Sequence, residues 1–369
     1  MQETKQTSET SRQPAIRSPW QLAWRKLKKN KMAIIGMWIL IVLHLFSIFA
    51  NFIAPYGETT SDRRRSYHPP TKVHFFTPEG KLTRPYIYNY RRVDPVRNRY
   101  EPDTSKAYPI HFFVRGEKYS VLGLFETDLH LFGVDSGAKI FLLGADRYGR
   151  DIFSRLAFGG RRSLFIGIIG LTISLSIGLI YGGVAGYFGG VVDNIMMRIS
   201  EVIISIPSFY LLLALSAVLP IGMPSDLRFL MITVILAFIG WAGLARVIRG
   251  MVLSIRQSEF VTAAEAIGCS QFRIIVRHIL PNTMSYVIVN ATLSIPSFIL
   301  SESGLSFIGV GIQHPLASWG NMLSEALNLS SLTRYPWLLV PGFMIFITVL
   351  CYSFFGDGLR DALDPRTRA

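Results

Sequence analysis

Long apolar stretches separated by polar segments set the pattern of this chain of 369 residues. Six of the stretches approach the ~20 residues that a helix needs to cross a hydrocarbon core about 30 Å thick. They lie at residues 33–54, 163–186, 202–219, 229–247, 284–300 and 338–355. The pattern therefore predicts an all-α membrane protein with six transmembrane helices.

The polar segments divide the chain into five parts. We expect a cytoplasmic N-terminal segment at 1–32, a first transmembrane helix at 33–54, an extracytoplasmic insert at 55–140, a core at 141–356 that holds the other five helices, and a cytoplasmic tail at 357–369. The first apolar stretch is too long and starts too late for a cleaved signal peptide, so we expect a retained span.

Basic residues predict the orientation, because lysine and arginine accumulate on the cytoplasmic side of transmembrane helices. The segment before the first span and the loop between the fourth and fifth spans are basic, which places that loop and both termini in the cytoplasm. A further basic group precedes the second span on the predicted outside, in a loop long enough to translocate regardless of charge. The three groups are Arg25, Lys26, Lys28, Lys29 and Lys31; Arg249, Arg256, Arg273 and Arg277; and Arg147, Arg150, Arg155, Arg161 and Arg162.

The insert at 55–140 is polar and rich in Pro, Arg and Tyr, and its short segments predict a small β-rich unit with two hairpins. The hairpins are expected to join 73–76 to 81–82 and 110–114 to 118–122, with turns at 77–80 and 115–117. The unit is either a docking surface for an extracytoplasmic partner or a passive cover over the outer loops, and the sequence favours neither.

Two features of the spans predict how they pack. Gly178, Gly182 and Gly186 recur every four residues, a spacing that lets helices approach closely, within the chain or between subunits. Pro207 in the third stretch and Pro296 in the fifth each remove a backbone donor and tend to kink a helix.

Composition and motifs exclude several functions. Only 17% of the residues are charged, and the net charge of +14 is explained by basic flanks of spans rather than by binding to nucleic acid. Cys269 and Cys351 are too few and too far apart for a disulfide framework or a zinc site. No phosphate-binding loop or hydrolase motif occurs, so we expect no enzyme activity, no cofactor and no metal, with any ATP hydrolysis in another chain.

Ionisable groups near the spans are few: His44 in the first, Glu201 at the rim of the third, and Glu302 just after the fifth. An ion-coupled secondary carrier usually keeps such a group inside the membrane as its relay, so this alternative is disfavoured. A membrane-anchored binding or scaffolding protein is a third alternative, but six spans exceed what anchorage needs.

A short amphipathic helix is predicted at 259–268, in the loop between the fourth and fifth spans. Gly268 fits a helix stop, and Leu280 and Pro281 are expected to restart the chain towards the fifth span. The helix either docks into a groove of a soluble subunit or lies on the inner surface of the protein itself, and spacing alone leaves both open. Its apolar stripe consists of Phe260, Ala263, Ala264 and Ile267.

The loop resembles that of permease subunits of ATP-binding-cassette importers, in which Glu-Ala-Ala is followed after three residues by Gly and after nine more by Ile-x-Leu-Pro. Thr262 replaces the Glu and His278 replaces the Ile, departures that are usual in the dipeptide and oligopeptide branch. Four further segments resemble that branch: LGADRYGRDIFSR at 143–155, GYFGG at 186–190 with Asp193, Met197 and Arg198, LSFIGVG at 305–311 with SWG at 318–320, and GDGLRDALDPR at 356–366. The resemblance covers 20–54 and 141–369 and leaves the insert unexplained.

The resemblance implies a type I importer permease of the C-type peptide branch in a prokaryotic plasma (inner) membrane. Implied partners are a second homologous permease subunit, two cytoplasmic ATP-binding subunits and an extracytoplasmic solute-binding protein, besides the lipid bilayer. The expected substrate is a di- or oligopeptide, nickel and oligosaccharide being alternatives within the family, and no residue is assigned to substrate. Coupling to the ATPase is implied at Phe260, Thr262, Ala263, Ala264, Glu265, Ile267, Gly268, Leu280 and Pro281.

Overall fold

The computed structural model describes residues 19–121, 125–220 and 222–364, so parts of the predicted N-terminal segment and tail lie outside the described residues. The helices are α1 (Pro19–Lys29), α2 (Lys31–Ile48), α3 (Ala50–Ile53), α4 (Ile152–Phe188), α5 (Gly190–Ser205), α6 (Ser208–Ala217), α7 (Ser225–Ile255), α8 (Glu259–Ala266), α9 (Gln271–Arg273), α10 (Leu280–Phe307), α11 (Trp319–Leu323), α12 (Leu329–Arg334) and α13 (Val340–Leu363). The strands are β1 (His74–Phe76), β2 (Leu82–Asp94), β3 (Arg99–Val121) and β4 (Phe125–Val134).

The predicted membrane architecture is confirmed. Five helical segments within the described residues are long and apolar enough to cross a membrane, and the bent pair α5–α6 adds a sixth if it is counted as one span. The β-sheet lies at one end of this bundle, which we call the insert side. The segment after α10 is on the insert side as well, because its Ala317 N–H donates to Glu58. Arg228 in the first turn of α7 donates to the carbonyl oxygen of Val310 in that segment, so the N-terminal end of α7 is also on the insert side. The C-terminal end of α7 leads to α8 on the opposite side, which we call the α8 side.

The third span is not the continuous helix predicted at 202–219. The helix α5 ends at Ser205, α6 begins at Ser208, and their axes differ by 83°. The break coincides with Pro207, which cannot donate a backbone hydrogen bond and biases Ile206 towards extended backbone. Ile206 is extended, with ψ of 125°, so the proline ends one helix instead of only kinking it.

The fifth span also differs from its prediction at 284–300. Helical backbone restarts at Gln271 and continues through a π-helical segment, Ile274–Ile279, into α10, so Leu280 and Pro281 continue a helix rather than restart one. The widened π turn precedes Pro281, where a regular helix would suffer a lost hydrogen bond and a clash. At its other end α10 reaches Phe307, which places Glu302 inside the helix and not after the span.

The repeated glycines of α4 form the contact with α7. A Cβ at Gly178 would lie 2.9 Å from Cδ2 of Leu244, and one at Gly186 would lie 2.7 Å from the carbonyl oxygen of Arg249. Both distances are below ordinary van der Waals contact, so larger residues would push the helices apart. The small-residue spacing thus serves packing within the chain.

The insert contains a four-stranded antiparallel sheet in the order β1-β2-β3-β4. The predicted hairpin at 73–82 is confirmed, with Phe76 opposite Leu82. The predicted turn at 115–117 is wrong, because β3 runs through it to Val121 and pairs with β4. The register shifts between Arg115 and Tyr119, so the glycine-containing segment forms a bulge rather than a turn.

The arginines that precede the second span on the insert side all have partners within the chain. Nε of Arg150 lies 2.5 Å from Asp146 Oδ2, and Nη1 of Arg162 lies 2.5 Å from Glu58 Oε1. Asp151 caps α4 by accepting the backbone N–H of Ser154 at 2.8 Å. The remaining partners are Glu325 for Arg147, the carbonyl oxygens of Glu58 and Pro315 for Arg155, and those of Ser47 and Ile48 for Arg161.

Candidate functional site

The helix α8 is a defined element with a specific C-terminal stop. Gly268 has φ of +77°, a conformation that costs glycine little and other residues more. The N–H of Gly268 donates to Glu265 O at 3.0 Å, and the N–H of Cys269 donates to Ala264 O at 3.1 Å. This pair of hydrogen bonds is a Schellman motif. It confirms the helix and glycine stop that the sequence predicts.

One side of α8 belongs to the core of the protein itself. Val261 and Ala264 are buried and pack in an apolar cluster with residues of α4, α7 and the π-helical segment. Of the predicted stripe, Ala264 faces inward together with Val261, whereas Phe260, Ala263 and Ile267 are exposed, so the four residues do not share one environment. Of the other predicted coupling residues, Phe260, Thr262, Ala263, Glu265, Ile267, Gly268 and Pro281 are exposed and Leu280 is half-buried.

The outward side of this loop exposes several large apolar side chains among polar ones. Ile267 is 80% exposed, and Phe272 in α9 is 75% exposed. The sequence analysis missed Phe272 and also Val276, which is exposed in the π-helical segment. Phe272 and Val276 are spaced i, i+4, which is compatible with one face of a helix. Both lie between the predicted stop at Gly268 and the predicted restart at Leu280, where the sequence predicts no helix. We call Phe260, Ile267, Phe272 and Val276 the α8-side patch.

A polar contact ties α8 to the end of the second span. The Tyr187 hydroxyl donates to Glu265 Oε1 at 2.9 Å, and the guanidinium carbon of Arg256 lies 5.4 Å from the Tyr187 ring centroid. Tyr187 lies in the GYFGG segment, but its link to a residue 78 positions away has no local sequence signature. The hydrogen bond therefore links α8 to α4, in addition to the apolar packing of Val261 and Ala264.

An ion pair holds the neighbouring helices together on the α8 side. Nε of Arg249 donates to Asp193 Oδ1 at 2.8 Å, and Nη2 of Arg249 donates to Asp193 Oδ2. Such a two-point contact fixes orientation as well as distance. It joins α5 to α7, so α4, α5, α7 and α8 are connected at this end of the bundle.

The chemistry of this site is that of a contact surface. Within the described ranges, no group of three or more His, Cys, Asp or Glu side chains could hold a metal ion. The cysteines Cys269 and Cys351 are both free. What the arrangement offers is a short helix with a buried side, an exposed apolar side and fixed links to two long helices.

Comparison with known proteins identifies the family. Residues 175–369 match the family described as binding-protein-dependent transport system inner membrane component. Residues 18–70 match the N-terminal transmembrane domain of oligopeptide transport permease C. The first match covers more than half of the chain, and the second includes its first span.

Individual relatives agree with these family matches. The dipeptide transport system permease protein DppC of Bacillus subtilis is 34% identical over 368 residues, covering 100% of this chain and 92% of that protein. The oligopeptide transport system permease protein OppC of Escherichia coli strain K12 is 43% identical over 226 residues, covering 61% and 72%. A solved inward-facing structure of the MetNI methionine ABC transporter matches 57% of this chain and 96% of that chain, with 17% identity and a TM-score of 0.44. From the two family matches and the full-length similarity to DppC of Bacillus subtilis, the chain belongs to the binding-protein-dependent transport system inner membrane components and, within them, to the C-type peptide permeases of ATP-binding-cassette importers.

Proposed function

We propose that this permease forms half of the translocation pathway of an ATP-driven importer of di- or oligopeptides, and that a separate cytoplasmic ATPase drives it through α8. A second homologous permease subunit supplies the other half of the pathway. An extracytoplasmic solute-binding protein delivers the peptide, and a pair of ATP-binding subunits contacts the α8 side. The relatives named as dipeptide and oligopeptide permeases support this substrate class.

The observation that carries the coupling role is the division of α8 and its flanks into two sides. Val261 and Ala264 are held in the chain's own core, while Ile267 and Phe272 are exposed. Exposed apolar side chains grouped beside an anchored helix are characteristic of a protein interface. We therefore assign Phe260, Thr262, Ala263, Ile267 and Phe272 to the surface that contacts the ATP-binding subunit. Ala264 instead packs against the permease itself.

The mechanism follows from these attachments. Movement of α8 by the ATPase pulls on α4 through the Tyr187–Glu265 contact and on α7 through the shared apolar cluster. Because packed interfaces shift between discrete arrangements, such a pull moves whole helices rather than deforming one. The ATPase thereby biases the permease between two conformations, and the permease needs no covalent chemistry of its own.

The proposed orientation places the α8 side and both termini in the cytoplasm. The basic last turn of α1, with Lys26, Lys28 and Lys29, supports this orientation. The arginines on the insert side do not oppose it, because they are held by carboxylates and carbonyl oxygens of the chain. They therefore reflect internal pairing rather than cytoplasmic exposure.

Two substitutions on the exposed side of this loop test the proposal. Ile267→Arg and Phe272→Arg should leave the protein in the membrane, reduce recovery of the ATP-binding subunits in the purified assembly and lower peptide uptake at least tenfold. The matched control is Ser254→Arg, an exposed position at the end of α7 on the same side. Normal uptake and normal subunit recovery with both variants would disprove the coupling role of this surface.

A further inference from the structure

The β3–β4 hairpin carries exposed aromatic side chains next to the end of the first span. Phe112, Phe113 and Phe125 are each about 60% exposed, and Phe49 between α2 and α3 is 48% exposed. The Phe113 and Phe52 ring centroids are 6.3 Å apart, so the hairpin touches the end of the span. We call Phe49, Phe112, Phe113 and Phe125 the hairpin patch.

The hairpin patch lies at the depth of a membrane boundary. The 18 residues of α2 span about 27 Å, close to the ~30 Å of a hydrocarbon core. Phe49 and α3 therefore fall where the apolar core gives way to headgroups, and aromatic residues are enriched at that depth. The exposed apolar side chains of α2, which include Ile41, Val42 and Leu45, are followed along the chain by Phe49, and Phe49 lines the same cavity as Val121 of the hairpin.

The backbone of β3 makes this surface. Phe113 has φ of +57°, a left-handed conformation that is rare for aromatic residues. Phe112 and Phe113 are consecutive, yet both are exposed, whereas consecutive residues of a regular strand point to opposite faces. The irregular backbone thus turns two rings outward beside the span.

A cavity of about 250 Å³ lies between the hairpin and the end of the span. Ile48, Phe49, Phe52 and Val121 give it apolar walls, and its polar lining consists of Asn51, Tyr119, Ser120 and Arg161. Arg161 donates through Nε to Ser47 O at 3.2 Å and through Nη2 to Ile48 O at 3.0 Å. Among the described residues, no carboxylate forms an ion pair with Arg161 and none accepts a hydrogen bond from its Nη1.

We propose that the outer leaflet of the membrane covers the hairpin patch and that part of one phospholipid acyl chain enters this cavity, with the phosphate of that lipid at Arg161. Apolar walls continuous with a lipid-facing helix suit an acyl chain, and one arginine at headgroup depth suits a phosphate. The insert then contacts the membrane surface through its β3–β4 hairpin and stabilises the end of the first span. The choice of the outer leaflet rests on the proposed orientation, but the lipid contact itself does not depend on the proposed coupling through α8.

Spin labels measure whether lipid, water or protein covers the patch. In the full chain with Cys269 and Cys351 replaced by Ala, labels are placed at Phe112→Cys and Phe125→Cys, in bilayers of phosphatidylglycerol and phosphatidylethanolamine. The control is Val96→Cys, at a turn position that is 90% exposed. Collisions with oxygen should dominate at 112 and 125, and collisions with a water-soluble nickel chelate at 96. Chelate access at 112 and 125, or exclusion of both reagents by a covering protein, would overturn the proposal.

Retention of lipid tests the role of Arg161. In native mass spectrometry of the purified full chain, Arg161→Leu should lose bound phosphatidylglycerol at least tenfold, while Arg161→Lys and the exposed hairpin variant Arg115→Leu should keep it. Equal retention by Arg161→Leu and the unaltered chain would refute the phosphate contact. Neither these variants nor the labelled ones alter α8, so failure here leaves the proposed coupling unaffected, and the reverse also holds.

Discussion

Glu302 is a fully buried carboxyl group whose neighbours are hydroxyl groups rather than cations. Ser306 Oγ donates to it at 2.7 Å and Ser163 Oγ at 3.3 Å. The same hydroxyls accept backbone N–H groups of Ile312 at 2.9 Å and Trp319 at 3.0 Å. Glu302 therefore links the loop that follows α10 to α4 at Ser163, about three turns into that helix.

Loss of this carboxylate should loosen the insert-side loop. Glu302→Ala leaves buried hydroxyls without acceptors, at about 1–3 kcal/mol for each. Glu302→Gln keeps one acceptor and the volume, so it should be milder. Thermal unfolding in detergent should rank the proteins in the order unaltered, Gln and Ala, and identical midpoints for all three would contradict this role.

Two buried carboxyl groups make the insert side sensitive to pH. Burial, with the nearby charge of Asp146, raises the pKa of Glu325 from 4.5 to about 7 despite the opposing charges of Arg147 and Arg150. Burial likewise raises the pKa of Asp151 from 3.8 to about 7, against hydrogen bonds from Ser154. Between these ordinary values and about 7, the folded chain binds more protons than the unfolded chain, so its stability falls as pH rises.

The predicted consequence is a lower melting temperature at about pH 8 than at about pH 5. The variant that combines Glu325→Gln with Asp151→Asn cannot titrate at these positions, so it should show a weaker dependence. Melting curves of both proteins across this range provide the test. An unchanged slope in the double variant would show that other groups set the pH dependence.

At the residue scale, the sequence revealed the glycine stop but not the contacts that give α8 its place. Gly268 was recognisable because a glycine that follows a short amphipathic segment has a local meaning. The pairings of Tyr187 with Glu265 and of Asp193 with Arg249 join residues far apart in the chain, so they depend on helix packing that no local pattern encodes. The inward position of Ala264 could not be predicted, because alanine fits either side of a short helix.

At the scale of elements, α8 depends on how its end is closed. Gly268→Val should weaken the Schellman motif, because left-handed backbone costs a non-glycine residue about 1–2 kcal/mol. Gly268→Asn is the matched control, since asparagine tolerates this conformation better. Among the described residues, no atom beyond the two adjacent residues lies within 4 Å of a Cβ placed at Gly268, so the Cβ of either variant meets no clash. Peptide uptake should be lower for Val than for Asn, and equal uptake would contradict this account.

The link between α8 and α4 predicts a specific defect in coupling. Tyr187→Phe removes the hydroxyl that donates to Glu265 while keeping the ring, so ATP hydrolysis by the assembly should continue while peptide transported per ATP falls several-fold. Tyr181→Phe is the control, because its hydroxyl donates to Met196 O within the bundle and not to α8. The number of peptides transported per ATP hydrolysed is measured for both variants in proteoliposomes. An equal value for Tyr187→Phe and Tyr181→Phe would exclude transmission through this contact.

The positions of helices could be predicted where a long apolar stretch determines a span. Breaks, π turns and bulges could not, because they depend on details of the backbone. The stretches at 163–186 and 229–247 lie within α4 and α7, because about 20 apolar residues leave few alternatives to a span. The break before Pro207, the π turn before Pro281 and the bulge in β3 are each one of several ways in which a chain accommodates a proline or an extra strand residue, and the choice among them is made by packing.

At the scale of the whole molecule, the two ends of the bundle are built differently. The insert side is held by buried charge pairs and by aromatic stacking, such as that of Tyr67 on Tyr335 with centroids 4.2 Å apart. The α8 side is held by a compact apolar cluster, with one ion pair between Arg249 and Asp193 and one hydrogen bond between Tyr187 and Glu265. Composition predicted the membrane bundle, and the motifs predicted the family, but neither predicted how the insert is seated on it.

The central claim is that the α8-side patch is the surface that an ATP-binding subunit grips. The most direct measurement is a site-directed cross-link from Ile267→Cys, with Cys269 and Cys351 replaced by Ala, in membranes that contain the complete importer. The account predicts an adduct with the ATP-binding subunit and none from Val96→Cys on the insert side. Absence of that adduct, or labelling of Ile267→Cys by an impermeant reagent added outside intact cells, would contradict it.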